Sequence, residues 1–117
     1  REYTIEITRV HSAHNAMTVE YRIHNTGHSP IPEGFPIAIG YQEGAGLVGS
    51  SQVYMIEVPV AAGAFGDKHL TIEAENEHKD GDAGFLTMVG DQGGHSERQF
   101  NFNLAWSHDG TATATPH

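Results

Sequence analysis

Histidines are the residues of this sequence that come closest to a metal-binding pattern. His11 and His14 lie in one short polar link, and His24 and His28 flank the next turn. Two imidazoles with a nearby carboxylate could bind zinc or copper. Spacing fixes no third ligand, so the sequence favours a solvated polar turn. Metal binding at His11 and His14 is the alternative.

Acidic residues form the second candidate site. Their cluster surrounds a glycine and consists of Glu73, Glu75, Glu77, Asp80 and Asp82. Calcium takes roughly six to eight oxygen ligands, so Asp80, Asp82 and the more distant Asp91 are candidate calcium ligands. Lys79 lies inside the cluster, and the spacing is not that of an EF-hand. A solvated loop is therefore the favoured interpretation.

No arrangement of residues singles out a catalytic site. Acid–base catalysis needs two groups held at a fixed separation, and several Ser, His and Asp combinations fit this sequence equally well. The chain has no cysteine, which excludes disulfides, thiolate ligands and cysteine nucleophiles. We therefore predict that the protein is not an enzyme and needs no cofactor.

The charge balance indicates which partners to expect. The chain has 6 Lys and Arg against 15 Asp and Glu, a formal net charge of -9. Such a surface repels phosphate backbones and anionic lipid headgroups, so we predict neither nucleic-acid binding nor binding to anionic membranes. The 9 histidines would cancel most of this charge below about pH 6. Because the chain begins with Arg1, we expect a processed chain or an excised domain.

Short strands must position these residues. Apolar and polar residues alternate from Met17 to His24, which indicates a strand with one buried face. The alternation predicts that Tyr21, Ile39, Phe102 and Trp106 share one core. Polar or glycine-rich stretches predict loops at Glu43–Ser51 and Glu75–Gly84. Similar alternating runs predict seven strands: Tyr3–Val10, Met17–His24, Phe35–Tyr41, Val53–Val58, Lys68–Ala74, Phe85–Val89 and Arg98–Trp106.

Seven short strands separated by turn signals are typical of one fold class. They predict a single all-β domain over residues 1–106, a seven-stranded immunoglobulin-like β-sandwich. A barrel is the main alternative. Residues 107–117 are mostly Thr and Ala and offer no core residue, so we predict a flexible C-terminal tail or linker.

Three segments have the pattern of a known family. Val19-Glu20-Tyr21-Arg22-Ile23-His24-Asn25-Thr26-Gly27 ends in an Asn-x-Gly turn, Val58-Pro59-Val60-Ala61-Ala62-Gly63 is a small-residue turn, and Gly84-Phe85-Leu86-Thr87-Met88-Val89-Gly90-Asp91 ends in an acidic residue. From Val19 to Trp106 the chain thus resembles the bacterial cell-adhesion-related domain, CARDB, an immunoglobulin-like module. It departs from that family in a shorter hairpin at 91–97 and in inserted acidic residues at 73–82. The resemblance implies a non-enzymatic surface module and provides no catalytic residue.

The fourth predicted strand indicates an association surface. It is apolar on both faces and has a single charge, Glu57. One face, that of Tyr54, Ile56 and Val58, is the expected core face, and the other needs cover from a loop, a tail or another subunit. We predict that a protein partner covers Val53, Met55 and Glu57 together with Leu47 and Val48 of the neighbouring loop. Copies of the same chain are the candidate partner.

Together these observations predict a non-catalytic extracellular module. It would act in adhesion or self-assembly through protein–protein association, at a cell surface, in a filament or on a virion surface. One alternative is a small histidine-dependent copper or zinc protein of the periplasm. The other is an accessory domain of a secreted enzyme, with the Thr/Ala segment as its linker.

Overall fold

The computed structural model of the chain describes residues 2–43, 47–74 and 78–117, and the side chains of residues 47–51 lie outside this description. Within it, the chain forms one antiparallel sheet that is nearly barrel-shaped. The all-β prediction is confirmed, whereas the predicted number of seven strands is wrong, because residues 111–116 add an eighth. The eight strands are β1 Tyr3–Ala13, β2 Ala16–Asn25, β3 Pro36–Glu43, β4 Leu47–Met55, β5 Phe65–Glu73, β6 Ala83–Gly90, β7 Arg98–Trp106 and β8 Thr111–Pro116. Their order in the sheet is β4-β3-β6-β7-β8-β1-β2-β5.

Alternation within the strands decides which residues enter the core. All four apolar residues predicted to point inward from β2 are buried, namely Met17, Val19, Tyr21 and Ile23. The predicted core residues Tyr21, Ile39, Phe102 and Trp106 belong to one hydrophobic cluster. In β1 the register against β2 shifts between Ile7 and Arg9, which exchanges the inward and outward positions. Val10 is therefore buried, while Ile7 is only partly buried.

Glycines in β6 leave room for two buried tyrosines. A Cβ atom on Gly84 would lie 2.1 Å from the hydroxyl oxygen of Tyr41, and one on Gly90 would lie 2.3 Å from that of Tyr3. No larger residue fits at either position without moving a ring. Burial raises the pKa of Tyr3 to about 12. A tyrosine therefore packs against each end of β6.

Asn25 explains the Asn-Thr-Gly turn after β2. Its side chain is fully buried, its Nδ2 donates to the carbonyl oxygens of Ser29 (2.9 Å) and Val60 (3.0 Å), and its Oδ1 accepts from Gly27 N at 3.0 Å. Because the side-chain amide makes these hydrogen bonds, its burial costs little free energy. The turn is thereby attached to the connection between β4 and β5.

The segment 107–117 differs from the predicted flexible tail, because Thr111–Pro116 forms β8. This strand pairs with β7 from Phe102 to Trp106 and with β1 through two residue pairs, Val10 with Ala112 and His11 with Thr111. Pairing satisfies backbone groups that β7 would otherwise expose, so a sequence without large core residues still forms a strand. Ala112 and Ala114 also pack against the core.

The fourth strand also differs from its prediction. It begins at Leu47, inside the predicted loop Glu43–Ser51, and ends at Met55. Backbone pairing with β3 across a register shift between Ile39 and Tyr41 includes Gly49, which has low strand propensity on its own. Of the predicted core set, Ile56 is buried and Tyr54 partly buried, whereas Val58 is 64% exposed. The prediction for Val58 is wrong because the chain leaves the sheet before reaching it.

Candidate functional site

The outward side of β1, β2 and β5 is strongly charged. Cross-strand pairing places Glu20 beside His69 and Arg22 beside Asp67. We call this surface the charged face, and its outward positions are Thr4, Glu6, Arg9, His11, Thr18, Glu20, Arg22, His24, Phe65, Asp67, His69, Thr71 and Glu73.

Ion pairs connect the strands across the charged face. Arg22 Nε lies 2.8 Å from Asp67 Oδ1, and Arg22 Nη1 lies 3.8 Å from Glu6 Oε1. The hydrogen bond from Arg22 lowers the pKa of the Asp67 carboxyl group. Arg9 Nη1 lies 3.6 Å from Glu20 Oε2. These side chains remain exposed to water, so the pairs contribute little to stability.

The outward side of the other strands has no formal charge at the positions whose side chains the structure describes. Ala38 on β3 is flanked by Val53 on β4 and Val89 on β6. We call this surface the uncharged face. Its described positions contain no Asp, Glu, Lys or Arg. These positions are Pro36, Ala38, Gly40, Gln42, Val53, Met55, Ala83, Phe85, Thr87, Val89, Gln99, Asn101, Asn103, Ala105, Thr113 and Thr115. His117 lies at its margin, with its ring edge-on to Phe85 at 5.1 Å.

Two residues of the predicted association surface lie together on the uncharged face. Val53 is 52% exposed and Met55 is 60% exposed. Glu57 is exposed just beyond the end of β4. Leu47 and Val48 belong to β4, but their side chains lie outside the described part of the chain. The structure thus places Val53 and Met55 where a partner could contact both.

A groove lies between the two edge strands of the sheet. Its volume is about 340 Å³, and its lining includes Tyr54, Met55, Asp67 and His69. Tyr21 also contributes, and burial raises the pKa of its hydroxyl group to about 12. Its lining includes the charged residues Glu57, Asp67 and Lys68, so the groove differs chemically from the uncharged face.

The candidate zinc or copper ligands, His11 and His14, lie in different surroundings. His11 Nε2 lies 3.7 Å from Glu20 Oε2 on the charged face. His14 is exposed in the turn between the paired residues Ala13 and Ala16, with a φ of 55°. In residues 2–43, 47–74 and 78–117, no group of three or more His, Cys, Asp or Glu side chains could hold a metal ion.

The candidate calcium ligands lie at opposite ends of β6. Asp82 precedes this strand and Asp91 follows it, and eight residues of strand span about 26 Å. Asp82 Oδ2 accepts from Lys79 N at 2.8 Å, and Asp91 Oδ2 accepts from Ser96 N at 2.9 Å. Each carboxylate therefore stabilises its own turn. Asp80 lies in the same turn as Asp82, before β6. Glu75 and Glu77 lie outside the described residues.

A buried histidine lies at the Asp82 end of the core. The His78 side chain is 1% exposed, and its Nδ1 lies 2.9 Å from Glu43 Oε1. Its ring stacks on the indole of Trp106 at 3.6 Å with an angle of 2°. Trp106 Nε1 in turn donates to the Tyr41 hydroxyl at 2.8 Å. Among the described residues, His78 Nε2 has no hydrogen-bond partner.

This cluster is the part of the molecule that the sequence did not indicate. The prediction that Glu75–Gly84 is exposed is wrong for His78, which lies in a polar run with no apolar periodicity. Burial, with Glu43 and Asp82 nearby, raises the pKa of Tyr41 well above its usual value. The imidazole lies between the Glu43 carboxylate and the Trp106 indole, at the end of the core. The cluster therefore attaches the segment before β6 to the barrel end.

Comparisons with known proteins add no family. No protein-family model matches the chain, and no curated protein and no solved structure is significantly similar to it. No helix in the described part of the chain is long and apolar enough to cross a membrane. Functional inference therefore depends on the geometry of the two faces.

Proposed function

We propose that this protein is a non-catalytic extracellular module that acts through protein–protein association at its uncharged face. The observation behind the proposal is the exposure of Val53 and Met55, neighbours on a face without formal charge. Clustered exposed apolar residues mark interaction sites on soluble proteins. A cell surface, a filament or a virion surface is the setting in which such a module would work.

The strand order supports a finer description of the fold, an immunoglobulin-like sandwich. In such sandwiches the first, second, fifth and fourth strands form one sheet, and the third, sixth and seventh form the other. Here β1-β2-β5 and β3-β6-β7 are neighbours, as in that fold, whereas β4 lies beside β3 instead of beside β5. Strand β8 connects the two groups, and only two residue pairs join it to β1. The resemblance to the CARDB module supports the same proposal.

The partner that we propose is a protein, and the candidate is a copy of the same chain. A net charge of -9 disfavours nucleic acids and anionic membranes as partners. The proposed association requires no cofactor, because the uncharged face offers amide, hydroxyl and apolar groups only.

Sedimentation equilibrium tests the proposed function. The chain is examined from about 1 μM to about 1 mM, the range in which weak complexes form. We expect a species heavier than the 12.7 kDa monomer to appear within that range. A monomer at every concentration would count against self-assembly. Rapid turnover of a small substrate, lost on substitution of one His or Asp, would show that the class is wrong.

A further inference from the structure

We propose that two copies of this chain pack their uncharged faces together about a two-fold axis. This inference rests on the proposed function, because it names the partner and the contact for the same surface. In such an arrangement each copy contributes the same residues to the interface. Val53 and Met55 of each copy would then be covered by the other.

Electrostatics favours this surface for contact between copies. Each chain has a net charge of -9, so two copies repel at long range. On the charged face, contact with a second copy would bring carboxylates such as Glu6, Glu20 and Asp67 towards their counterparts. The uncharged face presents no Asp, Glu, Lys or Arg at its described positions, so contact there leaves no formal charge unpaired.

The absence of charge also indicates which partner fits. A protein of opposite charge would be attracted to the acidic remainder of the molecule, and it would gain nothing from this face. A second copy has the same surface, with amides and hydroxyls that can pair with their own kind. The uncharged face is therefore better suited to a copy of itself than to a charged partner.

The size of the face is adequate for a dimer. Measured along the curved sheet it is five strands wide, about 24 Å, and about 26 Å long for strands of eight residues, which gives about 600 Å². Stable complexes bury about 800 Å² of accessible surface per partner, and side chains make the accessible area of the face larger than this backbone area. Small residues such as Ala38, Gly40 and Ala105 keep the surface low enough for two sheets to approach.

Two variants with the same net charge test the contact. Asn103→Lys adds a positive charge to the uncharged face, and Thr4→Lys adds the same charge at an exposed position of the charged face. Both variants have a net charge of -8, so long-range repulsion falls equally. We expect Asn103→Lys to raise the dimer dissociation constant at least about tenfold, because the two-fold contact would bury one new charge from each copy. Thr4→Lys should leave it unchanged or lower it.

Hydroxyl-radical footprinting of the unmodified chain tests the same contact without a substitution. Met55 on the uncharged face and Phe65 on the charged face are each 60% exposed, so they form a matched pair. Their modification is measured by mass spectrometry at concentrations below and above the assembly midpoint. We expect Met55 to be protected in the assembly and Phe65 to be modified at an unchanged rate.

The possible outcomes separate this inference from the proposed function. An assembly that protects Phe65 but not Met55, or that responds equally to the two Lys variants, would overturn the face-to-face contact and leave association itself intact. A chain that remains monomeric at every concentration would overturn the dimer, and with it the proposal that the partner is a copy of the same chain. Thermal unfolding of both Lys variants confirms that each is folded before it is compared.

Discussion

The charged face and the uncharged face cover the same core but differ in the polar groups that they expose to water. On the charged face, Arg22 pairs with Asp67 and Glu6 across three strands. On the uncharged face, Asn101 Oδ1 accepts hydrogen bonds from Thr87 Oγ1 (3.0 Å) and Gln99 Nε2 (3.1 Å). Both faces are polar enough to be hydrated. Carboxylates that would repel another acidic molecule lie on the charged face, so the proposed association favours the uncharged face.

The two edge strands show the same difference. β5 carries Asp67, Lys68 and Glu73, and charged residues on an edge strand discourage pairing with another chain. The sequence of β4, Leu47–Met55, contains no charged residue and no proline. Protection against unwanted pairing is therefore concentrated on the β5 side of the molecule.

The largest expected effect tests whether the two faces share one core. Phe102 lies beneath the uncharged face and Leu70 beneath the charged face, and both are buried in the same cluster. Phe102→Ala should lower the free energy of unfolding by about 3–5 kcal/mol, and Leu70→Ala by about 2–5 kcal/mol. Urea denaturation measures both, with Asn103→Ala on the adjoining outward position as the control. Two separate unfolding transitions, of which each core variant shifts only one, would show that the faces cover separate cores.

The second expected effect is loss of stability at alkaline pH. Burial raises the pKa values of Tyr3 and Tyr21 to about 12, above the ordinary value of about 10 in the unfolded chain. The folded state therefore holds these protons more tightly. The stability they provide is complete below about pH 10 and is lost as the pH rises through about 12. Thermal unfolding across this range, with tyrosinate absorbance recorded in parallel, should show ionisation of both groups coinciding with unfolding. Free titration of either group in the folded state would contradict the burial.

The third expected effect is the response of association to salt. Screening shortens the Debye length from about 10 Å at 0.1 M to about 3 Å at 1 M ionic strength. If the uncharged face forms the contact, salt screens only the repulsion between two chains of -9, and association should strengthen several-fold. Sedimentation velocity at low and high sodium chloride measures this. Weaker association at high salt would indicate an interface built from ion pairs of the charged face.

The smallest expected effect concerns the ion pairs of the charged face. The hydrogen bond from Arg22 lowers the pKa of Asp67. The stability from this pair is therefore present above about pH 4, the ordinary range of an aspartate, and is lost as the pH falls through the lower folded-state value. Because both groups are exposed, Arg22→Gln should change the melting temperature at pH 7 only slightly. Melting curves between neutral and acidic pH measure it, and a large loss at pH 7 would contradict a merely superficial role.

The candidate sites show the limit of prediction from spacing. His11 and His14 are close in sequence, yet one lies on the charged face and the other in a turn. Asp82 and Asp91 are separated by the whole of β6. Val53 and Met55 lie on the same side of one strand, so their shared exposure follows from alternation, while their role in association stays a prediction. His78 gave no signal, because its burial depends on Trp106 and Glu43, which are distant in sequence.

The sequence by itself determined the local order of this protein. Alternation specified the all-β class, the inward residues of β2 and the full extent of β7, Arg98–Trp106, because the side-chain period of a strand is a property of neighbouring residues. Only the tertiary structure decided that β8 pairs with β7 and β1, that β4 begins at Leu47, and which outward residues share a face. These features depend on pairing between strands far apart in the chain. No local pattern encodes that pairing, since backbone groups can pair with any strand that the core brings beside them.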